Sequence, residues 1–176
     1  MIFCSDYVSE VCPEIMAAIT AANEGSTMPY GADEYTLRLE AKLSKLFEAP
    51  VTIFPVATGS AANALALSAI APPYGAIYCH AESHVNVDEC GAPEFYTGGA
   101  KLVTLSGTDA QINPSYLATA LEKAGIGIVH HVQPAAVSIT QATEAGTVYL
   151  PEDIAEIARL THDRNLYLHM DGARFA

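Results

Sequence analysis

The stretch VATGSAANALAL, residues 56–67, decides the fold, because it joins a strand pattern to a helix pattern through a short turn. Residues 51–56 form an apolar run that is typical of a strand, and Thr58-Gly59-Ser60 opens an alanine-rich helix. The first amides of a helix lack intrahelical partners and favour a phosphate, and glycine permits close backbone approach. The stretch therefore predicts a phosphate-binding turn, although a threonine or serine N-cap explains the same pattern without any ligand.

Helix and strand patterns alternate along the rest of the chain. Helical spacing of apolar residues, or a proline in the first turn, predicts helices at 8–23, 34–47, 58–70, 114–123 and 151–163. Short apolar runs predict strands at 51–56, 76–79, 101–105, 135–140 and 166–170. The fourth of these strands is expected to begin after Pro134, because proline cannot donate a ladder hydrogen bond. This alternation predicts an α/β domain with a mainly parallel sheet flanked by helices.

Composition and charge exclude several kinds of partner. The formal net charge of -12 disfavours nucleic acid and anionic lipid surfaces. The start of the chain lacks the pattern of a signal peptide, and no stretch approaches the roughly 20 apolar residues of a membrane span. Cysteines occur without a CxxC pair, at Cys4, Cys12, Cys79 and Cys90. We therefore expect a soluble, cytoplasmic protein with reduced thiols and no membrane partner.

The segment HMDGAR, residues 169–174, lies at the end of the last predicted strand, at the edge where open α/β sheets bind ligands. A carboxylate at Asp171 can hold a protonated heteroaromatic nitrogen, and Arg174 can bind a carboxylate through two hydrogen bonds. Two alternatives stay open. His169 and Asp171 alternate onto one face and can be metal ligands, although no third ligand stands at a recognisable spacing. Asp171 and Arg174 can also form a structural ion pair.

A further candidate is His84 in CHAESHVNVDECGAP, residues 79–93, between a predicted strand and a short helix. An imidazole at this position can stack on a planar cofactor ring. The alternative is a hydrogen-bonded packing residue, which is the commoner role of a single histidine in an apolar context.

Four segments together carry a resemblance to a known family: FPVATGSAANALAL, SHVNVDECGAPEFYTGG, ITQATEAGTVYLPEDI and LHMDGARFA. In order and spacing they resemble the threonine aldolases, enzymes that depend on pyridoxal 5'-phosphate (PLP) and share the aspartate-aminotransferase-like fold. The resemblance implies an incomplete large domain of that fold. Residues 1–35 would be an N-terminal helical segment and arm, and residues 36–176 the PLP-binding domain, without the smaller C-terminal domain.

The same resemblance implies a role for each candidate residue. Thr58, Gly59 and Ser60 would bind the PLP phosphate, and Asp171 would pair with the pyridine nitrogen. His84 would stack on the ring and take the proton of the substrate β-hydroxyl group. The reaction would cleave L-threonine or L-allo-threonine, which are β-hydroxy-α-amino acids, to glycine and acetaldehyde.

Substrate binding by resemblance involves residues from distant parts of the chain. Arg174 and Ser5 would bind the substrate carboxylate. Tyr30, with Gly31, would approach the active site of a neighbouring subunit, which implies a homo-oligomer, a dimer or tetramer, with shared sites. No metal is expected.

The Schiff-base lysine of the family lies beyond the DGAR segment and is not among the residues of this chain. The chain has lysines only at Lys42, Lys45, Lys101 and Lys123, each with the pattern of a solvated surface residue. We therefore expect the chain by itself to be inactive. Two alternatives to the aldolase remain: another PLP enzyme of this fold, such as an aminotransferase, racemase or β-eliminating lyase, and a non-catalytic fragment or association module.

Overall fold

The computed structural model describes residues 8–175, which fall into two compact units. The division lies between Met1–Pro55 and Val56–Ala176. Each unit is described separately below. In both of them, no described helix is long and apolar enough to cross a membrane.

The first unit contains two helices, α1 (Pro13–Ala22) and α2 (Glu34–Leu46). Helix α1 begins five residues later than predicted, because Pro13 occupies its first turn and Cys12 is extended with ψ of 147°. Helix α2 follows the prediction closely, and its N-cap residue Asp33 accepts a hydrogen bond of 2.8 Å from the Thr36 amide. The strand predicted at 51–56 is wrong, since these residues pair with no strand in the described part of the chain.

The second unit is built on a four-stranded sheet in the order β2-β1-β3-β4, with every neighbouring pair parallel. Its strands are β1 (Gly75–His80), β2 (Lys101–Leu105), β3 (Gln133–Thr140) and β4 (Tyr167–Asp171). Its helices are α3 (Gly59–Ile70), α4 (His84–Val87), α5 (Ala92–Tyr96), α6 (Pro114–Glu122) and α7 (Pro151–His162). The predicted parallel α/β architecture is therefore confirmed.

Strand β3 differs from the prediction at its start. It includes Pro134, which lies opposite Ala76, and the register between β1 and β3 shifts immediately afterwards, between Ala76 and Ile77. A register irregularity tolerates a residue that cannot donate a ladder hydrogen bond. The expectation that the strand begins only at Ala135 was wrong for this reason.

Apolar clusters cover both faces of the sheet. Strand β1 is buried at all six positions and supplies alternate residues to the two clusters, Ala76 and Tyr78 to one, Ile77 and Cys79 to the other. Burial on both faces explains why β1 reads as a continuous apolar run instead of an alternating one. The sheet therefore lies inside the unit, and polar residues gather where its strands end.

Candidate active site

Three predicted site regions lie around the carboxyl edge of the sheet. Asp171 is the last residue of β4, and His84 begins the helix that follows β1. Helix α3 contributes its N-terminal half through Asn63, which contacts the Asp171 side chain. Because all the strands are parallel, their carboxyl ends lie along a single edge, which is where such sheets bind ligands.

The N-terminus of α3 is available to an anion. Thr58 caps the helix, and its Oγ1 accepts a hydrogen bond of 3.1 Å from the Ala61 amide. Within residues 8–175, the amides of Gly59 and Ser60 have no hydrogen-bond acceptor. A Cβ atom placed on Gly59 would meet no atom within 4 Å, so the space in front of the turn is open. The N-cap interpretation and the phosphate interpretation are therefore compatible, since the cap occupies only the third amide.

Asp171 is held by two hydrogen bonds that are both donated to its carboxylate. The Ala173 amide donates to Oδ1 at 3.0 Å, and Nδ2 of Asn63 donates to Oδ2 at 2.9 Å. Asn63 stands four residues after Gly59 on α3, a rise of about 6 Å along the helix. A single side chain therefore connects the acid at the end of β4 with the helix whose first amides are unpaired.

His84 is fixed through both its ring and its main chain. Its Nδ1 lies 2.8 Å from Oε1 of Glu89, and its amide donates to Oε1 of Glu144 at 2.9 Å. The His84 side chain is 37% exposed, whereas the Glu89 side chain is fully buried. Among the described residues, no hydrogen bond involves Nε2 of His84. With the hydrogen on Nδ1, Nε2 keeps a lone pair that can accept a proton.

His169 and Arg174 of the HMDGAR segment make contacts outside that segment. His169 is hydrogen-bonded to Ser138, with Nδ1 and Oγ 2.9 Å apart, so its ring is engaged on β3. Arg174 is exposed and donates from Nη1 to the Ala142 carbonyl oxygen at 3.5 Å. In the described part of the chain, no ion pair connects Arg174 with Asp171.

A different trio brings possible metal ligands together. Ligand atoms of His84, Glu89 and Asp171 lie within 4.8 Å of one another. Asn63, however, donates hydrogen bonds to both carboxylates from the same amide nitrogen. An amide donor directed at these oxygens competes with a cation for their lone pairs. The arrangement suits a hydrogen-bonded network better than a metal centre.

The remaining predicted substrate residues are Tyr30 and Ser5. Tyr30 belongs to the first unit, where it is fully exposed in a turn and has φ of 62°. Ser5 lies outside the described residues. The roles of both remain predictions.

Sequence reasoning missed Asn63, Glu89 and Glu144. A sequence signal for Asn63 does exist, because it is the one amide in the apolar run AANALAL and a buried polar side chain needs a hydrogen-bond partner. Glu89 follows Asp88 directly, and nothing in the sequence indicates that only Glu89 is buried. Glu144 lies 60 positions from the amide that it binds, so local patterns could not reveal it.

The chain is similar to known proteins over most of its length. A model of the beta-eliminating lyases matches residues 3–176. The chain is 42% identical over 175 residues to a low specificity L-threonine aldolase of Pseudomonas sp., covering 99% of this chain and 50% of that protein. It is 30% identical over 159 residues to a low-specificity L-threonine aldolase of Candida albicans, covering 82% of this chain and 38% of that protein.

The fold agrees with these relatives. A threonine aldolase structure from Leishmania major superposes with a TM-score of 0.90 at 28% identity, covering 98% of this chain and 50% of that chain. The chain thus spans about half the length of the Pseudomonas relative and of this structure. The predicted fold class, an incomplete large domain of the aspartate-aminotransferase-like fold, is confirmed. Because the family match extends over nearly all of its residues, the chain belongs to the beta-eliminating lyase family.

Proposed function

We propose that the protein containing this chain is a PLP-dependent aldolase that cleaves L-threonine and L-allo-threonine to glycine and acetaldehyde. The observation that carries the proposal is the Asn63 side chain, which joins Asp171 to the helix with unpaired first amides. Similarity to low-specificity threonine aldolases supports the choice of reaction.

The residues at the sheet edge fit PLP. The Gly59 and Ser60 amides and the hydroxyls of Thr58 and Ser60 would bind the phosphate, with open space in front of Gly59. The Asp171 carboxylate, oriented by Asn63 and by the Ala173 amide, would accept a hydrogen bond from the pyridine nitrogen. When bound, PLP withdraws electrons from the substrate α-carbon, which allows the bond between the α- and β-carbons to break.

His84 and Arg174 would act on the substrate. Nε2 of His84 would take the proton of the β-hydroxyl group, and the electron pair left on oxygen would form the acetaldehyde carbonyl. Arg174, exposed and held only by one long hydrogen bond, would turn towards the substrate carboxylate. Ser5 and Tyr30 are further candidates for the carboxylate and for a neighbouring site.

The organisation of the whole protein is part of the proposal. Residues 1–35 would form a helical segment and arm, and residues 36–176 an incomplete PLP-binding large domain. Full exposure of Tyr30 suits a residue that serves another subunit, in a cytoplasmic homodimer or homotetramer. We expect the 176-residue chain alone to be inactive, because all four of its lysines are exposed.

The test measures glycine and acetaldehyde released from threonine by the full-length protein. Equal amounts of the two products are expected. Asp171→Asn should lower kcat at least about 100-fold, because the neutral amide cannot support the protonated ring nitrogen. Asp88→Asn, at an exposed position immediately after α4, is the matched control and should keep normal activity. Transamination of threonine without aldehyde release would contradict the aldolase and favour another PLP reaction.

A further inference from the structure

Glu89 is a buried acidic residue close to the carboxyl edge of the sheet. The residue is 5% exposed, and its side chain is fully buried. Oε1 accepts a hydrogen bond from Asn63 at 2.7 Å and lies 2.8 Å from the His84 ring nitrogen. In the described part of the chain, Oε2 is buried without a hydrogen-bond partner. Burying a carboxylate costs several kcal/mol, so a group that is kept in this state calls for a reason.

Neighbouring acids show what is particular to Glu89. Glu94 and Glu144 also carry a buried carboxylate oxygen without a partner among the described residues. Glu144 binds the main chain of His84, and Glu94 makes no side-chain hydrogen bond to His84, Asn63 or Asp171. Among the described residues, Glu89 alone is hydrogen-bonded to the His84 ring. Its hydrogen bond to the ring therefore distinguishes Glu89 from the two other acids with a partly unsatisfied carboxylate.

The hydrogen-bond partners determine which nitrogen of His84 carries a hydrogen and how the Asn63 amide is oriented. An ionised carboxylate only accepts, so Nδ1 of His84 must carry the hydrogen of the 2.8 Å contact. Nδ2 of Asn63 uses its two hydrogens on Glu89 and Asp171, at 2.7 and 2.9 Å. Turning the amide over would direct its oxygen at two carboxylates, which fixes its orientation. The chain Asp171–Asn63–Glu89–His84 is therefore continuous.

We propose that Glu89 is the positioning residue of the site. It holds the hydrogen on Nδ1 of His84, so that Nε2 is left with its lone pair towards the substrate. Through Asn63 it also fixes the Asp171 carboxylate. This inference rests on the proposed function.

Glu89 also acts on the proton transfer itself. When Nε2 takes the proton of the β-hydroxyl group, an O–H bond breaks, an N–H bond forms and the ring becomes a cation. The buried carboxylate at 2.8 Å stabilises that positive charge, and the proton stays on the ring. Removal of the charge should slow the chemical step more than it weakens substrate binding.

The tautomer is tested by ¹⁵N NMR of histidine-labelled chain without cofactor, with His84→Gln to assign the signal. A protonated Nδ1 is expected in the unsubstituted chain and in Glu89→Gln, whose Oε1 still accepts a hydrogen bond. Glu89→Ala should give a mixture of both tautomers. The control is Glu94→Gln, which also replaces an acid with an unpartnered buried oxygen and should leave the signal unchanged. An unprotonated Nδ1 in the unsubstituted chain, or no change in Glu89→Ala, overturns the proposal.

Kinetics of the full-length protein test whether the negative charge of Glu89 contributes to the reaction. They also test the proposal if Glu89→Ala does not fold. Glu89→Gln should lower kcat about 10- to 100-fold and change KM less than about twofold, whereas Glu94→Gln should change neither. A Glu89→Gln variant with unaltered kcat overturns the proposal. If the unsubstituted protein does not cleave threonine, the proposed function fails, and the NMR result still decides the role of Glu89 in holding the ring.

Discussion

At Gly59, a side chain should affect the stability of the fold and the binding of a phosphate differently. Its φ is not positive, and a Cβ there would meet no atom within 4 Å, so Gly59→Ala should leave the free energy of unfolding within about 1 kcal/mol. The added methyl group would instead occupy the space that a phosphate needs above the first amides. We expect PLP to bind the full-length variant about 10-fold more weakly.

This prediction is checked by titrating PLP into the variant and measuring its urea unfolding in parallel. Weakened binding with unchanged stability supports a phosphate at this turn. Unchanged binding would mean that the unpaired amides serve only as a helix N-terminus, and the phosphate would have to lie elsewhere.

Site residues could be predicted where their chemistry is local in sequence. Asp171 and His84 were found because each lies near the carboxyl end of a predicted strand, at the edge where sheets of this kind bind ligands. Asn63 and Glu89 were not, because they act through partners 108 and 26 positions away, and the packing of α3 on the sheet brings them together. A motif gives the residue that touches a ligand more readily than the residue that orients it.

The pairing of β3 with β4 carries a pH-sensitive contact between Ser138 and His169. Burial lowers the pKa of His169 below its ordinary value of 6.5, and the Asp171 carboxylate partly opposes this shift. The unfolded chain therefore binds a proton at this ring at higher pH than the folded chain does. The free energy of unfolding should fall as the pH drops through about 6.5 towards the lower pKa of the folded state.

Urea unfolding of the 176-residue chain at about pH 7.5 and about pH 5.5 measures this effect. His169→Gln should be less stable than the unsubstituted chain at the higher pH, by about 1 kcal/mol for the lost hydrogen bond. It should also lose less stability on acidification. His162→Gln, at an exposed position of α7, is the control. The same acid-induced loss in both His169 forms would show that this ring does not contribute.

At the level of elements, the prediction succeeded where a local residue sets a boundary. Helices α6 and α7 begin at Pro114 and Pro151, as predicted from the preference of proline for the first turn. The predictions were wrong where a strand boundary depends on pairing with another strand. The run 51–56 has the composition of a strand but pairs with none among the described residues, and Pro134 enters β3 through a register shift that only β1 reveals.

For the molecule as a whole, the parallel topology explains why the candidate site is assembled from distant segments. Strands β1 and β4 lie on either side of β3, so the residues at their ends come from positions more than 80 apart in sequence. The alternation of strands and helices was enough to predict this edge. Neither periodicity nor motif could give the strand order, because it depends on pairings between segments that are distant in sequence.

The lysines give a prediction about the whole chain. All four are exposed, at Lys42, Lys45, Lys101 and Lys123, so none has the buried setting that would make it a preferred covalent partner of PLP. Incubation of the 176-residue chain with PLP, followed by borohydride reduction and peptide mass spectrometry, should give weak labelling spread over several lysines without saturation. Stoichiometric, saturable labelling of one lysine would contradict this expectation. It would mean that the chain carries its own covalent site, and the expected inactivity of the chain alone would then have to be abandoned.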